Sequence, residues 1–211
     1  MTKEQAINLV EESIQKGLSN QSNIEPWIKN LKAWSTSEVK CMLNNLGKHI
    51  KTYLEVGVFH GATFFSTVSN NNDLEAYAVD IFVEDLGSNP GTSFKDGLNR
   101  LNRPNIKFLN KDCFTINKED LPNSIDMYFY DGPHDFLSQE KALTYYFEFM
   151  SDTFILIVDD FNGPDIEKGT RSGLELLKDK YVVDKEWVFK TSGNMSPIWW
   201  NGMYIAVISK R

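Results

Sequence analysis

The stretch that decides the fold is residues 52–63, with the sequence TYLEVGVFHGAT. An apolar, β-prone run ends at Glu55 and Val56, a short loop with glycine at both ends follows, and a helix start comes next. This order is typical of a strand–loop–helix unit, the first step of a parallel α/β sheet. Gly57 and Gly61 have no Cβ, so they would permit tight turns and the close approach of a ligand.

Downstream of this unit the hydrophobic pattern keeps alternating between strand and helix. Strands are predicted over 52–56, 75–81, 106–109, 125–130 and 153–158, and helices over 62–68, 136–150 and 166–178, with a further helix ending at Leu101. Residues 84–92, which contain two glycines and a proline, are predicted to form a long loop. The last two strands, 181–190 and 203–209, are joined without a helix, which favours an antiparallel pair.

The first 48 residues read as a helical extension, and residues 49–211 as the main domain. Ser35 and Glu38 match a capping box ahead of an apolar run. The extension could cover the sheet edge, close over a ligand crevice or mediate self-association, and the sequence does not choose among these. Trp27 and Trp34 are interpreted as packing residues.

Composition limits the class of protein. The 211 residues carry a formal net charge of -7 and include 41% hydrophobic residues, which is ordinary for a globular chain. The acidic balance argues against nucleic acid or an anionic membrane as main partner. Cys41 and Cys113 are interpreted as free thiols, and no signal peptide or bilayer-length apolar run is recognised. We therefore expect a cytoplasmic protein.

The glycine loop itself limits the ligand. It is not the G-x-G-x-x-G of a dinucleotide site. A carboxylate at Glu55 pointing into the crevice would repel a pyrophosphate but attract a cation, so S-adenosylmethionine (SAM) fits better than NAD. Alternatively, Glu55 points to solvent and the glycines serve only the turn.

Five successive strands end in a carboxylate within a few residues, and ligands of open α/β sheets bind at these ends. Asp80, 23 residues beyond Gly57, is placed to accept hydrogen bonds from ribose hydroxyls, or it is a turn residue. Asp112 could accept from an adenine amino group or cap the next turn.

The sharpest feature is the set of acids that follows the fourth and fifth strands, Asp131 and the pair Asp159–Asp160. Neighbouring strand ends would bring up to three carboxylates together, and a hard divalent ion such as Mg²⁺ would relieve their repulsion. Otherwise one of the pair faces solvent and the other caps a helix. His134 could take a proton from a substrate hydroxyl, or it simply starts a helix. His60 could pack or gate a ligand.

These motifs resemble those of class I SAM-dependent methyltransferases, and more narrowly the group of macrocin-type sugar O-methyltransferases and cephalosporin hydroxylase-like proteins. The resemblance is carried by E-V-G-x-x-x-G at 55–61, Asp80, Asp112, D-G-x-H at 131–134 and I-V-D-D-F at 157–161. It implies an α/β, Rossmann-like, seven-stranded sheet, mostly parallel with antiparallel C-terminal strands, preceded by the helical extension.

The resemblance also implies the site residues. SAM would contact Glu55, Gly57, Gly61, Asp80, Asp112 and Asp131. Mg²⁺ would be held by Asp131, Asp159 and Asp160, with His134 as the base. Some relatives carry an acid where this chain has Pro133, which leaves His134 as the nearby alternative.

We therefore expect a SAM-dependent O-methyltransferase that acts on a hydroxyl of a small molecule, with a sugar as one candidate and a divalent metal assisting. The alternative is a non-catalytic SAM- or nucleotide-binding module that acts through partners; a nucleotide-dependent oxidoreductase is disfavoured by the missing dinucleotide motif. Trp199 and Trp200 could stack on a sugar ring or pack the sheet edge. The helical arm is compatible with a homo-oligomer. The acceptor is not encoded in any recognisable motif.

Overall fold

The computed structural model describes residues 1–31, 34–82, 89–193 and 195–211. Within these ranges the chain forms seven α-helices around one seven-stranded sheet. The helices are α1 (Lys3–Leu18), α2 (Pro26–Lys29), α3 (Ser37–Gly47), α4 (Ala62–Val68), α5 (Pro90–Leu101), α6 (Phe136–Tyr146) and α7 (Pro164–Leu177). The strands are β1 (Thr52–Val56), β2 (Glu75–Val79), β3 (Ile106–Leu109), β4 (Ile125–Tyr130), β5 (Met150–Asp159), β6 (Tyr181–Phe189) and β7 (Met203–Lys210).

The strand order is β3-β2-β1-β4-β5-β7-β6. All neighbours from β3 to β5 pair in parallel, and β7 is antiparallel to both β5 and β6. This is the Rossmann-like arrangement expected from the sequence, including its antiparallel C-terminal strands. The chain reverses its direction of winding between β1 and β4, which is where open α/β sheets bind ligands.

Helices cover both faces of the sheet, and strand side chains alternate between the two layers. Tyr53 packs in a core with helices α1, α3 and α4, whereas its neighbour Leu54 packs in the other core with α6 and α7. Val10 of α1 and Met42 of α3 are completely buried in the first core. The N-terminal extension therefore shares the core of the main domain.

Several boundaries differ from the sequence-based expectations. The cap of α3 is Thr36, whose hydroxyl accepts from the Val39 amide at 3.2 Å, so the prediction of Ser35 as the cap was wrong by one residue. The helix predicted over 136–150 ends at Tyr146, because a short 3₁₀ turn follows and β5 already begins at Met150. Most of the loop predicted over 84–92 lies outside the described residues, and α5 begins at Pro90.

Within the described parts of the chain, none of the helices combines the length and the apolar character that a bilayer crossing requires.

Candidate active site

The predicted site residues meet at the carboxyl edge of the sheet because of the strand register. Glu55 of β1 pairs with Ala78 of β2 and Phe129 of β4, and Phe129 pairs with Ile157 of β5. Carried two residues further, this register sets four positions side by side, and alternation points all four to the same face. These positions are Asp80, Gly57, Asp131 and Asp159. The row therefore consists of three aspartates and Gly57, and the absence of a side chain at Gly57 leaves a gap between Asp80 and Asp131.

The gap at Gly57 is required by the backbone. Gly57 has φ +85, a conformation that L side chains rarely adopt, and a Cβ there would lie 1.9 Å from the Asp131 carbonyl oxygen. The Gly57 amide donates to the Val79 carbonyl at 2.9 Å, and the Asp131 amide donates to the Val56 carbonyl at 2.8 Å. The ends of β1, β2 and β4 are therefore held together at a point where a ligand could approach the main chain closely.

A cavity of about 870 Å³ opens above this row. Most of the predicted site residues line it: Gly57, Asp80, Asp112, Asp131, His134, Asp159 and Asp160. Glu55 and Gly61 do not. Gly61 also has a left-handed φ, of +84, and a Cβ there would lie 2.4 Å from Phe65, so this glycine serves the entry into α4.

Glu55 lies beneath the cavity rather than in it. Its side chain has no exposed surface. The hydroxyl of Thr63 donates to its Oε1 at 2.6 Å, and the hydroxyl of Tyr53 donates to its Oε2. Burial raises the pKa of Glu55 to about 8, although both hydroxyl bonds favour the ionised form. The expectation that Glu55 points into the crevice is not met, because alternation places it one pleat below Gly57.

Asp80 and Asp112 hold the loops on the side of the cavity that lies at the ends of β2 and β3. Asp80 accepts from the Phe59 amide at 3.0 Å, in the glycine loop, and from the Phe82 amide at 2.7 Å. Asp112 caps a 3₁₀ turn by accepting from the Phe114 amide at 2.8 Å. A carboxylate has about four lone-pair sites, so both acids retain capacity for a ligand.

The opposite half of the cavity contains a cluster of two acids and a histidine. His134 Nε2 lies 3.3 Å from Asp131 Oδ1 and 3.5 Å from Asp160 Oδ2. One ligand atom from each of the three residues lies within 4.8 Å of the others, which is a spacing that a metal ion could bridge. Asp159, which the sequence assigned to the metal with Asp131 and Asp160, is not in this group, and His134 takes its place.

The cluster is short of positive charge. Burial raises the pKa of Asp131 to about 6, against the opposing bond from His134, and repulsion from Asp160 adds to it. The bond to Asp131 in turn raises the pKa of His134. Burial and these acids hold the pKa of Asp159 well above its usual range, and its buried Oδ1 has no hydrogen-bond partner among the described residues. Such an orphaned oxygen fits a site that takes a cation or a hydroxyl donor.

Two segments outside the sheet edge complete the wall. Trp34 and Ser35, from the N-terminal extension, and Trp200, from the β6–β7 connection, line the cavity. Thr36 joins the two segments, because its hydroxyl donates to the Ile198 carbonyl at 2.5 Å. Trp34 stacks on Phe59 of the glycine loop, with ring centroids 5.0 Å apart. The extension therefore covers part of the cavity, which was one of the three uses left open by its sequence.

The two adjacent tryptophans, for which the sequence left a ligand contact and sheet-edge packing open, lie in different places. Trp199 stacks on Phe189 at 3.9 Å and belongs to the sheet edge, whereas Trp200 lines the cavity. The interpretation of Trp34 as a packing residue missed its place on the cavity. No local motif marks it, because that place depends on a contact with residue 198, far along the chain.

Strained backbone accompanies the site. Three non-glycine residues of the cavity wall, Phe59, Asp160 and Trp200, have φ between 48 and 54. Each such residue costs on the order of 1 kcal/mol or more and persists where the surroundings require it, often at functional sites.

Comparisons with known proteins agree with this geometry. The model of a family described as methyltransferase domain matches residues 54–161, just over half of the chain. The chain therefore belongs to that family, and its fold is that of SAM-dependent methyltransferases. No curated protein matches the sequence.

Solved structures show the same fold at low sequence identity. The O-methyltransferase from Bacillus cereus, solved in complex with SAH, matches with a TM-score of 0.59 and 13% identity, over 96% of this chain and 91% of that chain. TYW2 from M. jannaschii, solved in complex with AdoMet, matches with a TM-score of 0.60 and 11% identity, over 86% and 78%. Cofactor-bound Rv0187 from MTB matches with a TM-score of 0.58 and 12% identity, over 95% and 89%.

Proposed function

We propose that this protein transfers a methyl group from SAM to a hydroxyl of a small molecule, assisted by a divalent metal ion. The observation that carries the proposal is one cavity with two different halves. Gly57, Asp80 and Asp112 line the first half, and the cluster of Asp131, His134 and Asp160 lines the second. A cofactor and an acceptor could therefore lie side by side.

The first half fits SAM. The gap at Gly57 admits a close approach, and Asp80 is placed to accept from ribose hydroxyls. Ile81, next to it in sequence, is a cavity-lining apolar side chain that is 48% exposed, which suits the face of an adenine ring. When bound, SAM supplies an electrophilic methyl group on a sulfonium, and the row of aspartates provides a negative field for that charge.

The second half fits a hard cation. Asp131, His134 and Asp160 would hold it, and a bound divalent ion would lower the pKa of an acceptor hydroxyl beside it. Without an ion, His134 uses Nε2 toward the two acids, and they orient the ring so that Nδ1 is the nitrogen that could take the acceptor proton. His134 thus stays our proposed base in a metal-independent reaction and becomes a ligand in a metal-dependent one.

A small acceptor is favoured over a nucleic acid. The chain carries a formal net charge of -7, and the second half of the cavity is acidic, so phosphate groups would be repelled. Hydroxylated rings, a sugar included, could lie against Trp200. The narrower resemblance to sugar O-methyltransferases remains part of this proposal.

The test is methyl transfer to a panel of hydroxylated small molecules, with EDTA-treated protein and with Mg²⁺ restored. We expect activity that requires Mg²⁺ and that Asp160→Asn abolishes. Asp152→Asn is the matched control, because Asp152 lies near the start of β5 and Asp160 directly follows the end of that strand. The control therefore removes one acid without changing the cavity. SAM binding with no transfer to any compound would favour the non-catalytic module instead. Full activity in EDTA would count against the metal and leave His134 as the base.

A further inference from the structure

The proposed function leaves one buried acid without a task. Glu55 is fully buried one pleat below the Gly57 gap and does not line the cavity described above. Strand geometry separates the Cα atoms of residues 55 and 57 by about 7 Å. Thr63 links the two levels, because it lines the cavity and its hydroxyl donates to Glu55 at 2.6 Å.

The groups that act on Glu55 are two hydroxyls, which donate to it, and three acids, which repel its charge. The groups are the Tyr53 hydroxyl on β1, the Thr63 hydroxyl on α4, and the carboxyl groups of Asp80, Asp131 and Asp159 at the ends of β2, β4 and β5. Burial in this setting raises the pKa of Glu55 to about 8. The two hydroxyl bonds are those that a carboxylate would need, so the surroundings can accept the ionised form once a cation is near.

We propose that Glu55 is a positioning residue that holds a proton in the empty site and releases it to solvent when a sulfonium cofactor binds above Gly57. The inference rests on the proposed function. Binding converts the carboxyl group into a carboxylate that faces the sulfonium through Thr63. Methyl transfer turns the sulfonium into an uncharged thioether, so the carboxylate takes a proton back from solvent and the product is held less tightly. No other co-reactant is needed for the balance.

The experiment counts protons by titration calorimetry of the metal-free chain with SAM, in two buffers that differ in ionisation enthalpy. We expect the release of about one proton at pH 7 and almost none at pH 9, where Glu55 is already ionised. SAM affinity should therefore rise with pH and level off above about pH 8. SAH, which has no sulfonium, should bind with little proton release.

Variants assign the proton. Glu55→Gln should remove the release and lower the preference for SAM over SAH on the order of tenfold. Glu75→Gln is the matched control, since Glu75 on β2 also accepts from a tyrosine hydroxyl two residues away but is half-exposed. It should behave as the unmodified chain. Tyr53→Phe removes a bond that favours the carboxylate, so the release should persist to higher pH.

The outcomes distinguish a failure of the proposed function from a failure of the role proposed for Glu55. No SAM binding at any pH overturns the proposed function itself. SAM binding without proton release overturns only the role of Glu55. A release that Glu55→Gln leaves unchanged has the same meaning. Loss of the release in Asp159→Asn but not in Glu55→Gln would assign the proton to Asp159 and also overturn the role of Glu55. If Glu55→Gln does not fold, an unshifted pH dependence in Tyr53→Phe overturns the inference.

Discussion

At the scale of single residues, the site depends most on Gly57, a position that has no side chain. Gly57 sits among three aspartates at left-handed φ, with the Asp131 carbonyl where its Cβ would be. Because that carbonyl is backbone, the clash cannot be relieved by a rotamer change. The strand ends themselves would have to move apart.

We therefore predict that Gly57→Ala lowers the free energy of unfolding by roughly 2–4 kcal/mol and abolishes SAM binding. Chemical denaturation and calorimetry measure the two effects. Gly193→Ala is the control, since a Cβ there meets nothing within 4 Å, and it should change neither quantity. Unaltered SAM affinity in Gly57→Ala would contradict the close approach at this position.

Glu55 gives a prediction of pH-dependent stability that needs no cofactor. Its pKa is about 8 in the folded chain, against an ordinary value of 4.5, so between these values the folded chain holds a proton that the unfolded chain has lost. Stability from this group is present at low pH and falls as pH rises, by up to about 1.4 kcal/mol per pH unit.

Relative to Glu55→Gln, the unmodified chain should thus lose stability between pH 5 and pH 8. Urea denaturation of both proteins across this range measures the difference, and comparison with the variant removes most of the contribution of Asp131 and Asp159. Parallel pH profiles for the two proteins would show that Glu55 does not titrate as the structure indicates.

Much of this residue-level description could be predicted from the sequence, but not how far below the cavity each acid lies. Acids after successive strands predict a row at the sheet edge, and Asp80, Asp131 and Asp159 lie there. Glu55 precedes its glycine by two residues, so alternation puts it on the same face but below the row. Whether a carboxylate at that level reaches the cavity depends on how α4 packs over it, and no local pattern encodes that packing.

At the scale of elements, the cavity wall depends on a contact between distant segments. Thr36 caps α3 by accepting from the Val39 amide and donates to the Ile198 carbonyl of the β6–β7 connection. One hydroxyl therefore both ends a helix and joins the two segments that carry Trp34 and Trp200 to the cavity.

Thr36→Val should lower the free energy of unfolding by about 1–2 kcal/mol, because it removes a helix cap and a hydrogen bond. It should also speed amide hydrogen exchange both around residue 36 and in the connection 195–201. Thr36→Ser keeps the hydroxyl and should preserve both. Faster exchange in the helix alone would indicate that the two segments are not coupled.

The sequence predicted helix α3 itself better than it predicted the segments that this helix contacts. The 3.6-residue pattern and the cap signal correctly indicate a helix after residue 35, with a one-residue error in the cap. The contact of this segment with residue 198 joins positions 162 apart in sequence. It follows from the sheet order that brings β7 beside β5, which a single segment cannot indicate.

At the scale of the whole molecule, the extension and the sheet share one core. The first core runs from Val10 of α1 through Met42 of α3 to Ile155 and Ile205 of the sheet, each with no exposed surface. The boundary predicted at residue 48 thus separates two patterns of sequence, and we infer that it does not separate two folding units.

Val10→Asp should consequently destabilise the entire chain, by more than about 3 kcal/mol, because an unpaired carboxylate would be buried against the sheet. Asn8→Asp adds the same charge to the exposed side of the same helix and should change stability by less than about 0.5 kcal/mol. Thermal unfolding followed by circular dichroism measures both. A two-step transition in Val10→Asp, with the sheet domain melting as before, would contradict a shared core.

The bonds of Asp80 have one more consequence. Since this carboxylate already binds the amide of Phe59, the glycine loop is ordered before any nucleoside arrives. The entropic cost of ordering a loop would then fall on folding instead of on association, which favours tighter binding of the cofactor. Preorganisation of this kind also means that the empty and loaded forms should differ little in the backbone of residues 57–61.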